Sequence, residues 1–159
     1  MTADTATGAG QIGPGQIGAG QIGAGQIGAG QWVRACPFDR LVEGRGVAVL
    51  GPEGRQAALF RIPAAETDRE AVGRSRIYAI GNIDPFGRAA VLSRGLTGDH
   101  GGELTVASPL GKQVFSLRTG VCLDDESVSV PSLATRVVDG IVEIWFGAAD
   151  HRVVADGPR

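Results

Sequence analysis

From Trp32 onward, short apolar runs of four to seven residues alternate with clusters of turn residues, a pattern that the preceding 31 positions do not share. Runs of this length, rich in Val, Ile and Leu and bounded by Gly, Pro and Asp, predict β-strands. They fall at Trp32–Ala35, Gly46–Leu50, Gln56–Ile62, Arg76–Ile80, Leu104–Ala107, Gln113–Leu117, Ala134–Val138 and Ile141–Phe146. Gly51-Pro52-Glu53-Gly54 predicts one hairpin turn, and Asp139-Gly140 between two apolar pairs predicts another, of the tight two-residue kind. No stretch carries helical periodicity. The pattern predicts an all-β domain over residues 32–148 and a short C-terminal tail over 149–159. The polar, charged stretch Pro63–Arg74 reads as an insert between two strands, a loop or a single helical turn.

The first 31 residues are organised differently. Gly10-Gln11-Ile12-Gly13-Pro14 begins a pentapeptide repeat that continues through Gly15–Ala19 and two further copies ending at Ala24 and Ala29. Ten of the 26 glycines of the 159-residue chain lie in this segment, so the glycine excess is local and the remainder has an ordinary share. The glycines are two and three apart in turn, which breaks the strict three-residue period of collagen. The run Gly8-Ala9-Gly10-Gln11-Ile12-Gly13 satisfies the dinucleotide fingerprint G-x-G-x-x-G. That motif requires a strand before it and a helix N-terminus after it to receive the pyrophosphate, and neither pattern is present. With one Ile per repeat, the segment has too little apolar surface to offset its ordering entropy, and residues 1–31 are expected to be a disordered leader.

Charge and cysteine content remove several classes of function. Fifteen basic side chains against 17 acidic ones give a formal net charge of −2, with no basic footprint for a nucleic acid. Cys36 and Cys122, with His100 and His151, offer neither a zinc spacing nor a disulfide framework. The uncharged stretch Thr5–Val33 is long enough to span a bilayer but is mostly Gly, Ala and Gln. It also lacks the basic start and compact apolar run of a signal peptide. A cytoplasmic protein with reduced thiols is the expectation.

Between Tyr78 and Leu123 the order of motifs carries the most information. Asn82-Ile83-Asp84-Pro85-Phe86-Gly87 is followed by Leu92-Ser93-Arg94-Gly95, then by Ala107-Ser108-Pro109-Leu110-Gly111-Lys112-Gln113 and Phe115-Ser116-Leu117-Arg118-Thr119-Gly120. This layout resembles a Rieske (ISP-type) domain, an all-β fold of small antiparallel sheets. In that family a C-P-H loop and a C-P-L-H loop supply two Cys and two His to a [2Fe–2S] cluster. Carried over position by position, Asp84 stands for the first Cys, Phe86 for the first His, Ser108 for the second Cys and Gly111 for the second His. Phe and Gly have no donor atom, and an Asp–Ser pair is a poor substitute for thiolates on soft iron. The strings Phe60-Arg61, Asp84-Pro85-Phe86, Val91-Leu92-Ser93-Arg94-Gly95, Ser108-Pro109-Leu110 and Leu117–Asp125 are similar to the small subunit of assimilatory NAD(P)H nitrite reductase. The opening Trp32-x-x-x-Cys36 and the closing Arg136-Val137-x-Asp139-Gly140 extend that resemblance over residues 32–146.

The resemblance implies a small, cofactor-free subunit that works with a large redox-active one in reducing nitrite to ammonia during nitrate assimilation. FAD, siroheme and a [4Fe–4S] cluster would belong to the large subunit, and no catalytic or metal-binding residue is expected on this chain. Two other classes stay open, a free-standing Rieske-like interaction module and a [2Fe–2S] ferredoxin of a ring-hydroxylating oxygenase. Individual side chains have plainer readings beside their chemical ones. Asp84 before Pro85 fits a turn whose carboxylate bonds nearby N–H groups better than a catalytic acid. Ser93 and Ser108 lack the G-x-S-x-G elbow of a nucleophile. Asp99-His100 beside Gly101-Gly102 fits a hairpin tip better than a metal site, and Asp124-Asp125-Glu126 fits a solvated turn. Trp145-Phe146 fits a terminal strand with one side chain in the core and the other at its rim. The two loops are expected to form an exposed apolar tip of Phe86, Pro109 and Leu110 fringed by Arg94 and Lys112, suited to docking the large subunit.

Overall fold

The computed structural model describes residues 30–64 and 75–147. Twelve strands occupy them: β1 (Gln31–Pro37), β2 (Gly46–Leu50), β3 (Gln56–Pro63), β4 (Ser75–Gly81), β5 (Ile83–Asp84), β6 (Ala89–Ala90), β7 (Leu96–His100), β8 (Glu103–Ala107), β9 (Val114–Ser116), β10 (Ser132–Leu133), β11 (Thr135–Val138) and β12 (Ile141–Phe146). Three short 3-10 turns are the only helical segments among the described residues. The strands form four antiparallel sheets, ordered β1-β12-β11, β10-β4-β3-β2, β5-β6 and β7-β8-β9.

β3 explains how the sheets stack. Its sequence Ala57-Ala58-Leu59-Phe60-Arg61-Ile62 is apolar on both faces apart from Arg61. Strand geometry sends alternate side chains to opposite sides. Ala57 and Leu59 join Leu41, Val49, Val142, Ile144 and Phe146 in one core cluster. Ala58, Phe60 and Ile62 join Leu92, Val106, Phe115, Leu117 and Cys122 in the other. β4 repeats the division, Ala79 facing the first cluster and Ile80 the second. The four-stranded sheet is thus a wall shared by two small cores, one closed by the pairing of the first strand with the last, the other by β7-β8-β9 and the loops around it. The partition positions the site, because both loops of interest belong to the second half.

Each of the eight runs expected from the pattern contains a strand, with Gln113–Leu117 shortened to Val114–Ser116 and Ala134–Val138 to Thr135–Val138. Gln31, assigned to the leader, instead opens β1, where it pairs with Phe146. The rest of the leader, the C-terminal tail and most of the insert lie outside the described residues; Pro63 itself ends β3. The structure adds β5, β6, β7 and β10, which the pattern did not predict. Three of these are two residues long, and β7 is an edge strand of largely exposed polar residues without alternation. The Gly-flanked stretch Thr97–Gly102 is therefore mostly strand, with Gly101-Gly102 alone at the tip. Asp139-Gly140 forms the expected hairpin: both residues have positive φ, 50° and 75°, as the two-residue turn requires to match the strand twist.

Candidate functional site

The first loop leaves β5 at Asp84 and returns on β6, with Asp84 opposite Ala89. The second leaves β8 after Ala107 and returns through Gln113, closed by Ser108 N–H to Gln113 O at 2.8 Å and Lys112 N–H to Ser108 O at 3.2 Å. Pro85 and the N–H groups that follow shape the first turn around a single carboxylate. Phe86 N–H and Gly87 N–H donate to Asp84 Oδ1 at 2.8 and 3.1 Å. This is the turn-forming use of an Asp before Pro. Behind the loop, Asn82 is buried and anchors it. Its carboxamide donates to Gln56 Oε1 at 3.0 Å and accepts from Ser93 N–H at 2.8 Å.

The loops are joined by their side chains. Ser108 Oγ donates to Asp84 Oδ2, and the same hydroxyl accepts from Leu110 N–H at 3.2 Å. Asp84 and Ser108 are fully buried. Each polar atom in this small network has a partner, the condition under which buried polar groups hold a structure in one arrangement. Above it lies an apolar tip. Phe86 is 43% exposed and its ring stands 6.3 Å from that of buried Phe115. Leu110 is 53% exposed and leans over Gly87, so closely that a Cβ on Gly87 would lie 2.5 Å from Leu110 Cδ1. Pro109 is exposed, and Lys112 Nζ donates to Pro109 O at 3.4 Å.

A [2Fe–2S] cluster of this fold needs thiolate and imidazole donors at these positions. Phe86 and Gly111 offer no donor atom. Asp84 and Ser108 offer oxygen only and are bonded to each other. The space beside Gly111 is filled, since a Cβ there would lie 2.1 Å from Gln113 Oε1. Cys122 is buried in the core and Cys36 is half-buried on β1; both thiols are free. Burial raises the Cys36 thiol above its ordinary value. The donor set does not fit the cluster.

The remaining candidates resolve into turns. Asp99 Oδ1 accepts from Gly102 N–H at 2.9 Å at the tip of the β7–β8 hairpin, and His100 is exposed beside it. His100 pairs with Glu103 and Leu96 with Ala107, so the imidazole sits at the far end of the hairpin from Ser108. Asp124 Oδ2 accepts from Val114 N–H at 2.7 Å, and Asp125 Oδ1 accepts from Ser127 N–H and Oγ. No group of three metal-ligating side chains gathers among the described residues. Trp145 packs on Trp32 at 5.4 Å while Phe146 is buried. Of the five expected docking residues, Phe86, Pro109, Leu110 and Lys112 gather on the two loops. Arg94 lines a concavity beside the base of the second loop, with Gly44, Arg45, Gly46, Ser93, Gly95 and Leu96. Asn82, Gln113 and Arg45 are not among the expected site residues; Asn82 and Gln113 stand inside the two loop motifs, whereas Arg45 carries no local signal.

Paired two-stranded and three-stranded sheets that each present one loop at a shared tip define a Rieske-type domain, and the family model for the Rieske-like [2Fe-2S] domain matches residues 31–145. The nitrite reductase (NADH) small subunit of Salmonella typhimurium is 45% identical over 114 residues, covering 72% of this chain and 96% of that protein. The solution structure of the Escherichia coli protein NirD is 41% identical with a TM-score of 0.63, covering 76% of this chain and all of the other. A Klebsiella oxytoca nitrite reductase [NAD(P)H] large subunit is 36% identical over 116 residues, which cover 73% of this chain and 11% of that protein. Within the Rieske-like class, the chain belongs to the nitrite reductase small-subunit family.

Proposed function

We propose that this chain is the small, cofactor-free subunit of an NAD(P)H-dependent nitrite reductase and that it acts by docking on the large subunit through its two-loop tip. The observation that carries the reading is the 45% identity to the Salmonella small subunit over 114 residues, which cover 96% of that protein. The Klebsiella large subunit adds a physical link, because it carries a similar domain within its own chain. Covalent fusion in one protein matches subunit contact in another, as the two domains share one assembly.

In this reading the reduction of nitrite to ammonia belongs to the large subunit, where FAD, siroheme and a [4Fe–4S] cluster would sit. The small subunit contributes no acid, base or nucleophile. Asp84 and Ser108 hold the loops, and Phe86, Pro109 and Leu110, with Lys112 and Arg94 at the edge, supply the contact surface. An apolar centre with a charged rim is the usual anatomy of such a contact. The setting is the cytoplasm and the role is nitrate assimilation; no helix among the described residues is long and apolar enough to cross a membrane.

Co-expression with a nitrite reductase large subunit tests the proposal. The two chains are expected to co-purify, and removal of the small subunit is expected to lower NAD(P)H-dependent nitrite reduction. Independent purification of both chains, with activity unchanged by adding this one, defeats the reading.

A further inference from the structure

The concavity beside the second loop is a built groove. Its two walls are the start of β2 with the residues before it, and the turn that leads into β7. Thr97 Oγ1 donates to Gly44 O at 2.9 Å and ties the walls together. Glycine allows the close approach: a Cβ on Gly46 would lie 2.4 Å from Ser93 O, and one on Gly95 would lie 2.5 Å from Ala107 O. The concavity is open to solvent, with a volume of about 410 Å³.

Its lining is basic and apolar at once. Arg45 and Arg94 are both exposed and make no ion pair or hydrogen bond from their guanidinium groups among the described residues. The acidic neighbour in the chain, Glu43, is engaged by Arg61 at 3.3 Å. Leu96, on the same groove, is 79% exposed, and Val42 nearby in the chain is 61% exposed, the first being the most exposed large apolar residue described. The groove also adjoins the tip, since Leu96 pairs with Ala107, the residue that precedes Ser108. β7 is an edge strand, with only β8 as a partner in its sheet, and its first residue, Leu96, lies on the groove.

We infer that this groove receives an acidic, extended segment of the large subunit, a carboxylate lying between Arg45 and Arg94 and an apolar side chain lying on Leu96. The inference rests on the docking function proposed above and extends the interface from the tip into the groove. A small free anion would answer the two guanidinium groups but leave Leu96 uncovered. An acidic peptide segment answers both, and guanidinium groups favour planar carboxylates that they can grip by two hydrogen bonds.

The test uses the full chain and the large subunit in its cofactor-loaded form, with affinity measured at low and high salt. Wild type is compared with Arg45→Glu/Arg94→Glu and with the milder Arg45→Gln/Arg94→Gln, each checked for an unchanged thermal melt. Charge reversal is expected to raise Kd about tenfold or more. The neutral pair is expected to raise it less and to flatten its salt dependence. A photo-cross-linking residue in place of Leu96 is expected to capture a large-subunit peptide containing Asp or Glu. The inference is overturned if both double variants bind within twofold of wild type, or if the captured peptide has no acidic residue. Titration with inorganic phosphate adds a third arm: phosphate binding that needs both arginines, with large-subunit affinity unchanged in the variants, makes the groove a small-anion site instead. If wild type itself does not bind the large subunit, the docking function falls first; if wild type binds and the variants bind equally, only the groove assignment falls.

Discussion

Ser108 Oγ donates a hydrogen bond to Asp84 Oδ2, joining two loops whose anchor residues stand 24 positions apart in the chain. The resemblance to the Rieske motif assigns both residues to positions that would be cysteine in a cluster-binding domain. The buried side-chain bond is a cross-tie between the two loops.

Ser108→Ala removes the donor and leaves Asp84 Oδ2 buried without its partner, and Leu110 N–H loses its acceptor as well. Stability to urea is expected to fall by about 1–3 kcal/mol. Asp84→Ala, which strips the acceptor from Phe86 N–H, Gly87 N–H and Ser108 together, is expected to cost more than Ser108→Ala. Midpoints indistinguishable from wild type in both variants remove the cross-tie from the account of the tip.

At Gly120 and Gly140 the same substitution separates backbone strain from lack of room. Both have φ near +76°, at 77° and 75°. A Cβ on Gly120 would lie 2.0 Å from Val130 O, whereas nothing stands within 4 Å of one on Gly140. Gly140→Ala therefore meets strain alone and is expected to cost about 1 kcal/mol. Gly120→Ala must also displace backbone and is expected to cost about 2 kcal/mol or more. Equal urea midpoints for the two variants contradict the packing at Gly120.

The contrast between the two loops shows what the chain discloses locally. The turn role of Asp84 is written in four consecutive residues, Asp84-Pro85-Phe86-Gly87, because its partners are the next N–H groups. Its bond to Ser108 depends on how β5-β6 and β8-β9 are set against each other, which no short pattern encodes. Strands buried on at least one face, such as β3 and β12, announce themselves through runs of apolar residues. β7 does not, because an exposed edge strand has no face to hide. The groove is the extreme case: Arg45 and Arg94 lie on separate elements, and the close approach of Gly46 to Ser93 together with the Thr97–Gly44 hydrogen bond brings them to one concavity.

Docking through the tip makes a direct demand on Phe86 and Leu110, which are partly exposed yet contribute to no buried core cluster. Phe86→Asp combined with Leu110→Asp is expected to leave the fold intact by circular dichroism. Large-subunit affinity is expected to fall at least tenfold, the usual size of effect when central apolar contacts of an interface are lost. A folded double variant with undiminished affinity places the contact elsewhere.

Cys36 gives a pH signature. Burial favours the neutral thiol in the folded state, so its ionisation is held above the ordinary value of 9.0 while the unfolded chain ionises there. The contribution of Cys36 is fully present below pH 9.0 and is lost as pH rises from that value through the raised folded one. The stability difference between wild type and Cys36→Ser is therefore expected to shift against wild type on going from pH 8 to pH 10, two values that bracket the ordinary ionisation at 9.0. A difference that stays constant over this interval contradicts the burial of the thiol.

The outer face of the terminal sheet allows one further test, because the two tryptophans of the chain meet there. Trp32 and Trp145 are cross-strand partners with ring centroids 5.4 Å apart and planes inclined by 56°. Arg136 lies over the Trp32 ring at 4.0 Å and holds buried Glu143 by two contacts of 2.7 Å. Inclined indoles this close couple their transitions, so the folded protein is expected to show a tryptophan couplet in its far-ultraviolet circular dichroism that Trp32→Phe abolishes. Arg136→Ala removes the cation from the ring and leaves the Glu143 carboxylate without its one side-chain partner among the described residues. Because Arg136 is 44% exposed, solvent screens part of the pair, and the loss is expected at about 1–2 kcal/mol rather than the larger cost of breaking a fully buried one. Glu143→Gln in the Arg136→Ala background should then recover stability, since a neutral amide in that site no longer needs a counter-charge. Recovery would assign the loss to the stranded carboxylate. No recovery, with the couplet weakened, would assign it to the ring contact that Arg136 makes with Trp32.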